Sequence, residues 1–262
     1  MLPRSSQQTV EPGIDMKRLD LALVERGLCA SREKAKRAIM AGLVKVNRQP
    51  ARKPGERVKA GDQLQLAAPE KFVSRGGFKL EAALRQFQLD VRGHTAIDVG
   101  ASTGGFTDCL LQAGAAKVYA VDVGRGQLAW SLRRDPRVVV MEKTNARRLA
   151  AADFPAPFSP VDFVAIDCSF ISLRKILPPA VALLRPFGRI VALIKPQFEA
   201  GKAEADKGAG VITDPAIHQR VLSELERFIA AQTRLQWKGL IESPLLGPAG
   251  NKEFLVLIEK TG

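Results

Sequence analysis

The stretch that most constrains the fold runs from Thr95 to Gly105, Thr-Ala-Ile-Asp-Val-Gly-Ala-Ser-Thr-Gly-Gly. An apolar run ends in Asp98-Val99-Gly100 and passes through small residues into Phe106-Thr107-Asp108-Cys109-Leu110-Leu111. That order predicts a strand, a glycine turn and a helix start, the layout of a nucleoside-cofactor site. Gly100, Gly104 and Gly105 let bare backbone approach a ligand. A dinucleotide fingerprint would read G-x-G-x-x-G and aim its helix N-terminus at a pyrophosphate. Here a carboxylate, Asp98, stands at the mouth. It would repel a diphosphate and suit a ligand carrying an ammonium and a sulfonium, which favours S-adenosylmethionine. A second apolar run, Lys117-Val118-Tyr119-Ala120-Val121, ends in Asp122. An acid about 20 residues past the glycine loop is where a ribose hydroxyl pair is held in such folds.

From Thr95 onward apolar strands alternate with helical stretches. The strands are expected at 96–99, 118–121, 138–141, 161–166, 189–194 and 254–258, the pattern of an α/β, doubly wound, mostly parallel sheet. In open sheets of this kind ligands bind at the carboxyl ends of the strands. Standing there are Asp98, Asp122, Thr144-Asn145, Asp167 and Lys195-Pro196-Gln197. The segment 198–211, rich in Gly, Lys and acids, is expected to be a lid over the site. Ahead of the first strand, Leu80, Ala83, Leu84 and Phe87 recur at helical spacing and place Lys79 on a helix.

The chain has 262 residues and a formal net charge of +13, with a pI near 10.0. Residues 1–92 hold 19 basic against 10 acidic side chains, and the remainder 21 against 17. The excess is concentrated in the first third, which points to a polyanionic partner, nucleic acid or an acidic membrane surface. Cys29, Cys109 and Cys168 form neither a C-x-x-C pair nor a disulfide framework, as expected for a reducing, cytoplasmic setting. Residues 1–16 are polar, without the apolar stretch of a signal peptide, and are expected to be a flexible tail. No apolar run approaches the roughly 18 residues that span a bilayer.

Residues 17–66 predict two helices and short strands. Ser31 is placed to cap the second helix, whose Arg32, Lys34, Lys36 and Arg37 make a basic stripe beside Ala35, Ala38 and Ile39. The runs Arg18-Leu19-Asp20, 31–39, Gly42-Leu43-Val44-Lys45-Val46-Asn47, Pro54-Gly55-Glu56-Arg57-Val58 and Gly61-Asp62 resemble the S-four RNA-binding domain. That resemblance implies a small α+β module whose basic helix rests on RNA phosphates. Residues 67–74 are expected to link it to a second domain, 75–262.

Methyl transfer from a sulfonium is an in-line displacement that needs a nucleophile relieved of its proton. A lysine whose pKa is lowered by a neighbouring cation and by burial can serve as the base, with a carboxylate to orient it or accept charge, and Asp167, Lys195 and Lys79 are placed to gather near the cofactor. The motifs 73–77, 98–107, Val123-Gly124-Arg125-Gly126-Gln127-Leu128, Asp167-Cys168-Ser169-Phe170-Ile171-Ser172, 195–199 and Gly247-Pro248-Ala249-Gly250-Asn251-Lys252-Glu253 extend the argument. With them, residues 17–260 resemble the TlyA (hemolysin A) family, an S-four domain joined to an FtsJ-like methyltransferase domain with a Rossmann-like sheet. The resemblance implies S-adenosylmethionine as donor and a cytidine ribose 2′-hydroxyl of ribosomal RNA as acceptor. It also implies a tetrad of Lys79, Asp167, Lys195 and Glu253, with Lys195 as base, and no metal. Cofactor contacts are expected from Asp98, Gly100, Ser102, Thr103, Gly104, Gly105, Phe106, Asp122, Val123, Asn145 and Asp167. RNA contacts are expected from Arg18, Arg32, Lys34, Lys36, Arg37, Lys45 and Arg75. The linker departs from some relatives, which carry a tryptophan before Val73 where this chain has Phe72.

Three other readings stand beside this one. Cys168 could be the nucleophile of a cytosine C5-methyltransferase, although its position straight after Asp167 would turn it to the other face of the strand. The net charge could serve adsorption to an anionic membrane, as a lytic protein would need. The chain could also be a ribosome-binding module without catalytic activity.

Overall fold

The computed structural model describes residues 16–67, 70–201, 204, 206 and 208–262; residues 1–15 of the expected tail lie outside them. The chain divides into two compact units, one through Lys71 and one from Phe72, a break that falls inside the stretch 67–74.

The first unit opens with β1 (Met16–Arg18), α1 (Leu19–Glu25) and α2 (Arg32–Met40). Four short strands follow, β2 (Val44–Val46), β3 (Gln49–Pro50), β4 (Arg57–Lys59) and β5 (Leu64–Leu66). Ser31 caps α2 by accepting from the Lys34 amide at 3.3 Å. Strands pair as β1–β4 and as β3–β2–β5. Leu19, Leu23, Ala35, Ile39, Val44 and Val58 are buried together and form its core.

The second unit is a seven-stranded sheet. Its strands are β6 (Thr95–Val99), β7 (Lys117–Val121), β8 (Val138–Met141), β9 (Val161–Ile166), β10 (Leu184–Ile194), β11 (Leu235–Glu242) and β12 (Phe254–Lys260). The spatial order is β11-β12-β10-β9-β6-β7-β8. The five strands from β10 to β8 are parallel, whereas β12 runs antiparallel to both β10 and β11. Helices α3 (Gly76–Gln86) and α4 (Gly105–Gln112) cover one face. The other is covered by α6 (Leu177–Ala182) and α8 (Pro215–Ala230), while α5 (Trp130–Arg133) and α7 (Pro196–Glu199) are single turns.

Burial on both faces follows the two-residue period of a strand. Ala96, Phe163, Ala165, Leu193 and Leu255 pack with Leu80, Leu84, Phe106 and Leu110. Ile97, Val99, Val164, Ile166, Ala192 and Val256 pack with Leu177, Val221 and Leu225. Parity therefore sends positions 98, 167, 195 and 253, each next to the end of a strand, to the α3–α4 side. β11 lies outside the strands expected from the apolar pattern. Its outward positions Gln236, Lys238 and Glu242 are exposed, as befits an edge strand, and Gly239 lies against Phe87, where a Cβ would come within 2.8 Å of the ring. β10 starts five residues before the expected 189, in a stretch where Arg185, Pro186 and Phe187 are exposed and a register irregularity separates Leu184 from Arg189.

Candidate active site

The strand order reverses at β6, whose neighbours are β7 and β9. A crevice at the carboxyl ends of strands is the expected ligand position at such a switch. Two adjoining cavities lie there, of about 280 and 460 Å³, sizes suited to small-molecule ligands. Gly100, Ser102, Asp167 and Ser169 line both, so these residues stand where the two lobes meet.

The glycine loop is built by backbone geometry that side chains would obstruct. Gly100 has φ +88°, and a Cβ there would lie 2.5 Å from the Asp167 carbonyl oxygen. Gly104 opens α4 at φ +98°. Ser102 takes a left-handed φ of +48° without being glycine, and its amide donates to Asp122 Oδ2 at 2.7 Å. The other oxygen of Asp122 accepts from the Gly124 amide at 2.7 Å. Asp122 thus clamps two loops at the mouth of the larger lobe, which Val123, Thr144 and Asn145 also line.

Asp98 is fully buried. Its Oδ2 accepts from the amide and the hydroxyl of Thr107 at 2.8 and 2.7 Å, fastening β6 to the first turn of α4. Its Oδ1 is buried and accepts no hydrogen bond among the described residues. Burial pushes the carboxyl up to about 7 against the pull of Thr107, and the charges of Asp167 and Asp122 add to the rise. A buried carboxylate oxygen without a donor fits a cationic group of a ligand. Asp98 and Gly104 stand behind the cavity walls, while Thr103, Gly105 and Phe106 line the smaller lobe with Arg75.

That smaller lobe holds all four members of the expected tetrad, Lys79, Asp167, Lys195 and Glu253. Lys79 sits on α3, Asp167 follows β9 and Lys195 follows β10. Glu253 precedes β12, and because Phe254 pairs with Ile194 in the antiparallel ladder, Glu253 comes level with Lys195. The side chains form two ion pairs. Lys79 Nζ lies 2.5 Å from Glu253 Oε2, with side chains 9% and 1% exposed, and Lys195 Nζ lies 2.5 Å from Asp167 Oδ1. Lys195 also donates to Ser169 Oγ at 2.9 Å.

Several participants escape the sequence reading. Ser169 is one, although the D-x-S spacing places it within reach of Asp167. Phe170, at φ +61° and 90% exposed, lines the larger lobe and packs against Phe198 with ring centroids 5.0 Å apart. Glu199 and Asn251 secure the ends of the candidate lid, 198–211. Glu199 accepts from Ser172 Oγ and the Leu173 amide at 2.6 and 2.7 Å, and burial raises its pKa. Asn251 accepts from the Ile212 amide and donates to the Gly210 carbonyl, both at 2.8 Å. Residues 202, 203, 205 and 207 of that segment lie outside the described residues.

Cys168 packs against the core on the α6–α8 face, as strand parity requires, while also lining the larger lobe. Burial pushes its thiol up to about 12, which leaves no thiolate at neutral pH. The geometry thus disfavours it as a nucleophile.

In the first unit, Lys34, Arg37 and Lys45 are exposed and Lys36 pairs with Glu33 at 2.9 Å. Arg18 and Arg32 both turn inward to Asp20, at 3.0 and 2.9 Å. Among the described residues no helix is long and apolar enough to cross a membrane, and no acidic, histidine or cysteine cluster is arranged to hold a metal.

Residues 72–260 match the FtsJ-like methyltransferases and residues 17–64 the S4 domain. A candidate rRNA methyltransferase of Bacillus subtilis, YqxC, is 51% identical over 246 residues, 94% of this chain and 86% of that protein. The 16S/23S rRNA (cytidine-2'-O)-methyltransferase TlyA of Mycobacterium tuberculosis is 46% identical over 243 residues, 91% of this chain and 88% of its own. Among solved structures, a candidate hemolysin from Streptococcus thermophilus superposes with a TM-score of 0.70 at 46% identity, over 95% of this chain and 90% of that one. With both domain matches in this order and relatives of this identity along nearly its whole length, the chain belongs to the TlyA family of FtsJ-like methyltransferases carrying an N-terminal S4 domain.

Proposed function

We propose that the chain methylates the 2′-hydroxyl of a cytidine ribose in ribosomal RNA with S-adenosylmethionine as donor. The observation that carries this reading is the gathering of Lys79, Asp167, Lys195 and Glu253 in one cavity that meets the cofactor lobe at Gly100, Ser102, Asp167 and Ser169. The activity in the name of the Mycobacterium tuberculosis relative supports it.

In this reading the cofactor supplies an electrophilic methyl group on a sulfonium. Asp98, through its donorless Oδ1, would hold the ammonium, Asp122 would hold the ribose hydroxyls, and Val123 and Asn145 would border the base. For that methyl group to be transferred, the acceptor ribose hydroxyl would have to give up its proton. Lys195 takes up the proton that the hydroxyl gives up, and Asp167 pairs with the resulting ammonium. Ser169 accepts a second contact from the same lysine. Lys79 and Glu253, a buried ion pair that lines the lobe, keep its charges balanced. Residues 17–66 serve as the RNA-binding module, through Arg18, Arg32, Lys34, Lys36, Arg37 and Lys45, with Arg75 at the rim of the catalytic domain, 75–262.

Mass-spectrometric mapping of nucleosides, after incubating the protein with labelled S-adenosylmethionine and unmodified ribosomal subunits, tests the reading. A 2′-O-methylcytidine is expected. A base-methylated product would overturn the acceptor assignment, and no product together with leakage of anionic vesicles would favour the membrane reading.

A further inference from the structure

Asp20 stands out in the first unit as a carboxylate with no solvent exposure on a surface otherwise rich in cations. Its Oδ1 accepts from Arg18 Nε at 3.0 Å. Its Oδ2 accepts from Arg18 Nη2 at 3.0 Å and from Arg32 Nε at 2.9 Å. One buried anion therefore holds two guanidiniums that come from different elements, the end of β1 and the first turn of α2. The anchoring backbone is itself pinned, since the Leu19 and Asp20 amides donate to the Glu56 and Pro54 carbonyls at 2.8 and 3.1 Å.

We infer that Asp20 is a positioning residue that presents Arg18 and Arg32 as a rigid two-guanidinium fork for a phosphodiester of RNA. The inference rests on the RNA-binding reading above and adds to it how the two arginines are held. Both side chains remain open to solvent, 41% and 48% exposed. Arg18 Nη1 and both Nη groups of Arg32 donate no hydrogen bond to the described residues, and together they offer planar N–H donors of the kind that match phosphate oxygens. Arg18 Nη1 lies over Gly55, where a Cβ would approach it to 3.1 Å, so the turn leaves the guanidinium room.

Stability alone is a poor account of this arrangement. A cation at the first position of a helix opposes the helix dipole, and Arg32 is the first residue of α2. An ion triad around a buried carboxylate is also often no more stabilising than apolar residues of similar volume, and these two cations are half-exposed and screened. What the triad does supply is order. Two long side chains that would otherwise lose rotamer freedom on binding are fixed beforehand, each worth about two- to tenfold in affinity. The Asp20 carboxyl, held down at about 2 chiefly by its hydrogen bonds from Arg18, stays ionised throughout the neutral range.

Asp20→Asn separates positioning from simple electrostatics because the two predict opposite signs. The substitution raises the net charge from +13 to +14, so charge alone predicts tighter RNA binding. Positioning predicts weaker binding, by about tenfold for two released arginines, with a log–log salt slope shallower by about 0.7 for each phosphate no longer neutralised. The assay uses the full chain and in vitro transcribed ribosomal RNA at several salt concentrations. Circular dichroism and thermal melting show whether each variant is folded at the assay temperature. The double variant Arg18→Lys/Arg32→Lys keeps every charge but lacks the fork, and it should also bind about tenfold more weakly. Equal or tighter binding by folded Asp20→Asn would overturn the inference. If Asp20→Asn does not fold, wild-type affinity in the lysine double variant would overturn it. Absence of RNA binding by the wild-type chain would instead overturn the reading on which it rests.

Discussion

Asp98 gives the most quantitative prediction. Its carboxyl is buried, has one oxygen without a donor and is pushed up to about 7 in the folded chain, against an ordinary value of 3.8. A cationic ligand group needs the ionised form. With a pKa near 7, roughly a tenth of the cofactor-free protein is ionised at pH 6 and half at pH 7, so the apparent Kd for S-adenosylmethionine should improve about fivefold over that unit. 5′-Methylthioadenosine, which lacks the amino acid part, should bind with no such dependence. The sign for stability follows from linkage. Between about pH 4 and 7 the folded chain retains a proton that the unfolded chain has lost, so stability of the cofactor-free protein falls as pH rises through that window. At about 1.4 kcal/mol per unit, the upper bound is about 4 kcal/mol. Asp98→Asn should therefore melt at a higher temperature than wild type at pH 8, while binding the cofactor at least tenfold more weakly. Calorimetric titration and thermal melting at pH 6, 7 and 8 measure both. A Kd that is flat from pH 6 to 7, or an Asn variant with wild-type affinity, would refute the argument.

Two further outcomes follow from the same geometry. Lys79→Met leaves the Glu253 carboxylate, 1% exposed, without its partner and should cost about 3–5 kcal/mol in denaturant unfolding. Lys79→Met/Glu253→Leu should recover most of that stability and none of the methyl transfer, whereas equal instability in both variants would count against a buried pair. Cys168→Ala should leave the transfer rate within about twofold of wild type, since a thiol pushed up to about 12 supplies no thiolate at neutral pH; loss of product would revive the base-methylating reading.

Strand parity explains why so much of the site was legible in the sequence. The even or odd position of a residue along an apolar run fixes its face, so Asp98, Asp167 and Lys195 could be placed at strand ends on one side of the sheet from spacing alone. Glu253 needed more, because only the antiparallel pairing of Phe254 with Ile194 brings it level with Lys195. The edge strand Leu235–Glu242 alternates in burial but is interrupted by Gly239 and a register shift after Trp237, and its partner was not deducible locally. Glu199 and Asn251 resemble surface polar residues in sequence; their roles come from backbone groups at positions 172–173 and 210–212 that turns bring to them. The basic stripe of the first unit was legible as charge. That two of its arginines share Asp20 was not, because Arg32 is 12 residues away and meets Asp20 only through the packing of α1 on α2.

The central claim is that Lys195, held between Asp167 and Ser169, takes the ribose proton during methyl transfer. Single-turnover transfer from radiolabelled S-adenosylmethionine to unmodified ribosomal RNA, comparing wild type with Lys195→Met, tests it most directly. The account predicts cofactor and RNA affinities within about threefold of wild type and a transfer rate reduced by about 10²–10⁴. A Lys195→Met variant that binds both ligands and transfers methyl groups at the wild-type rate would contradict it.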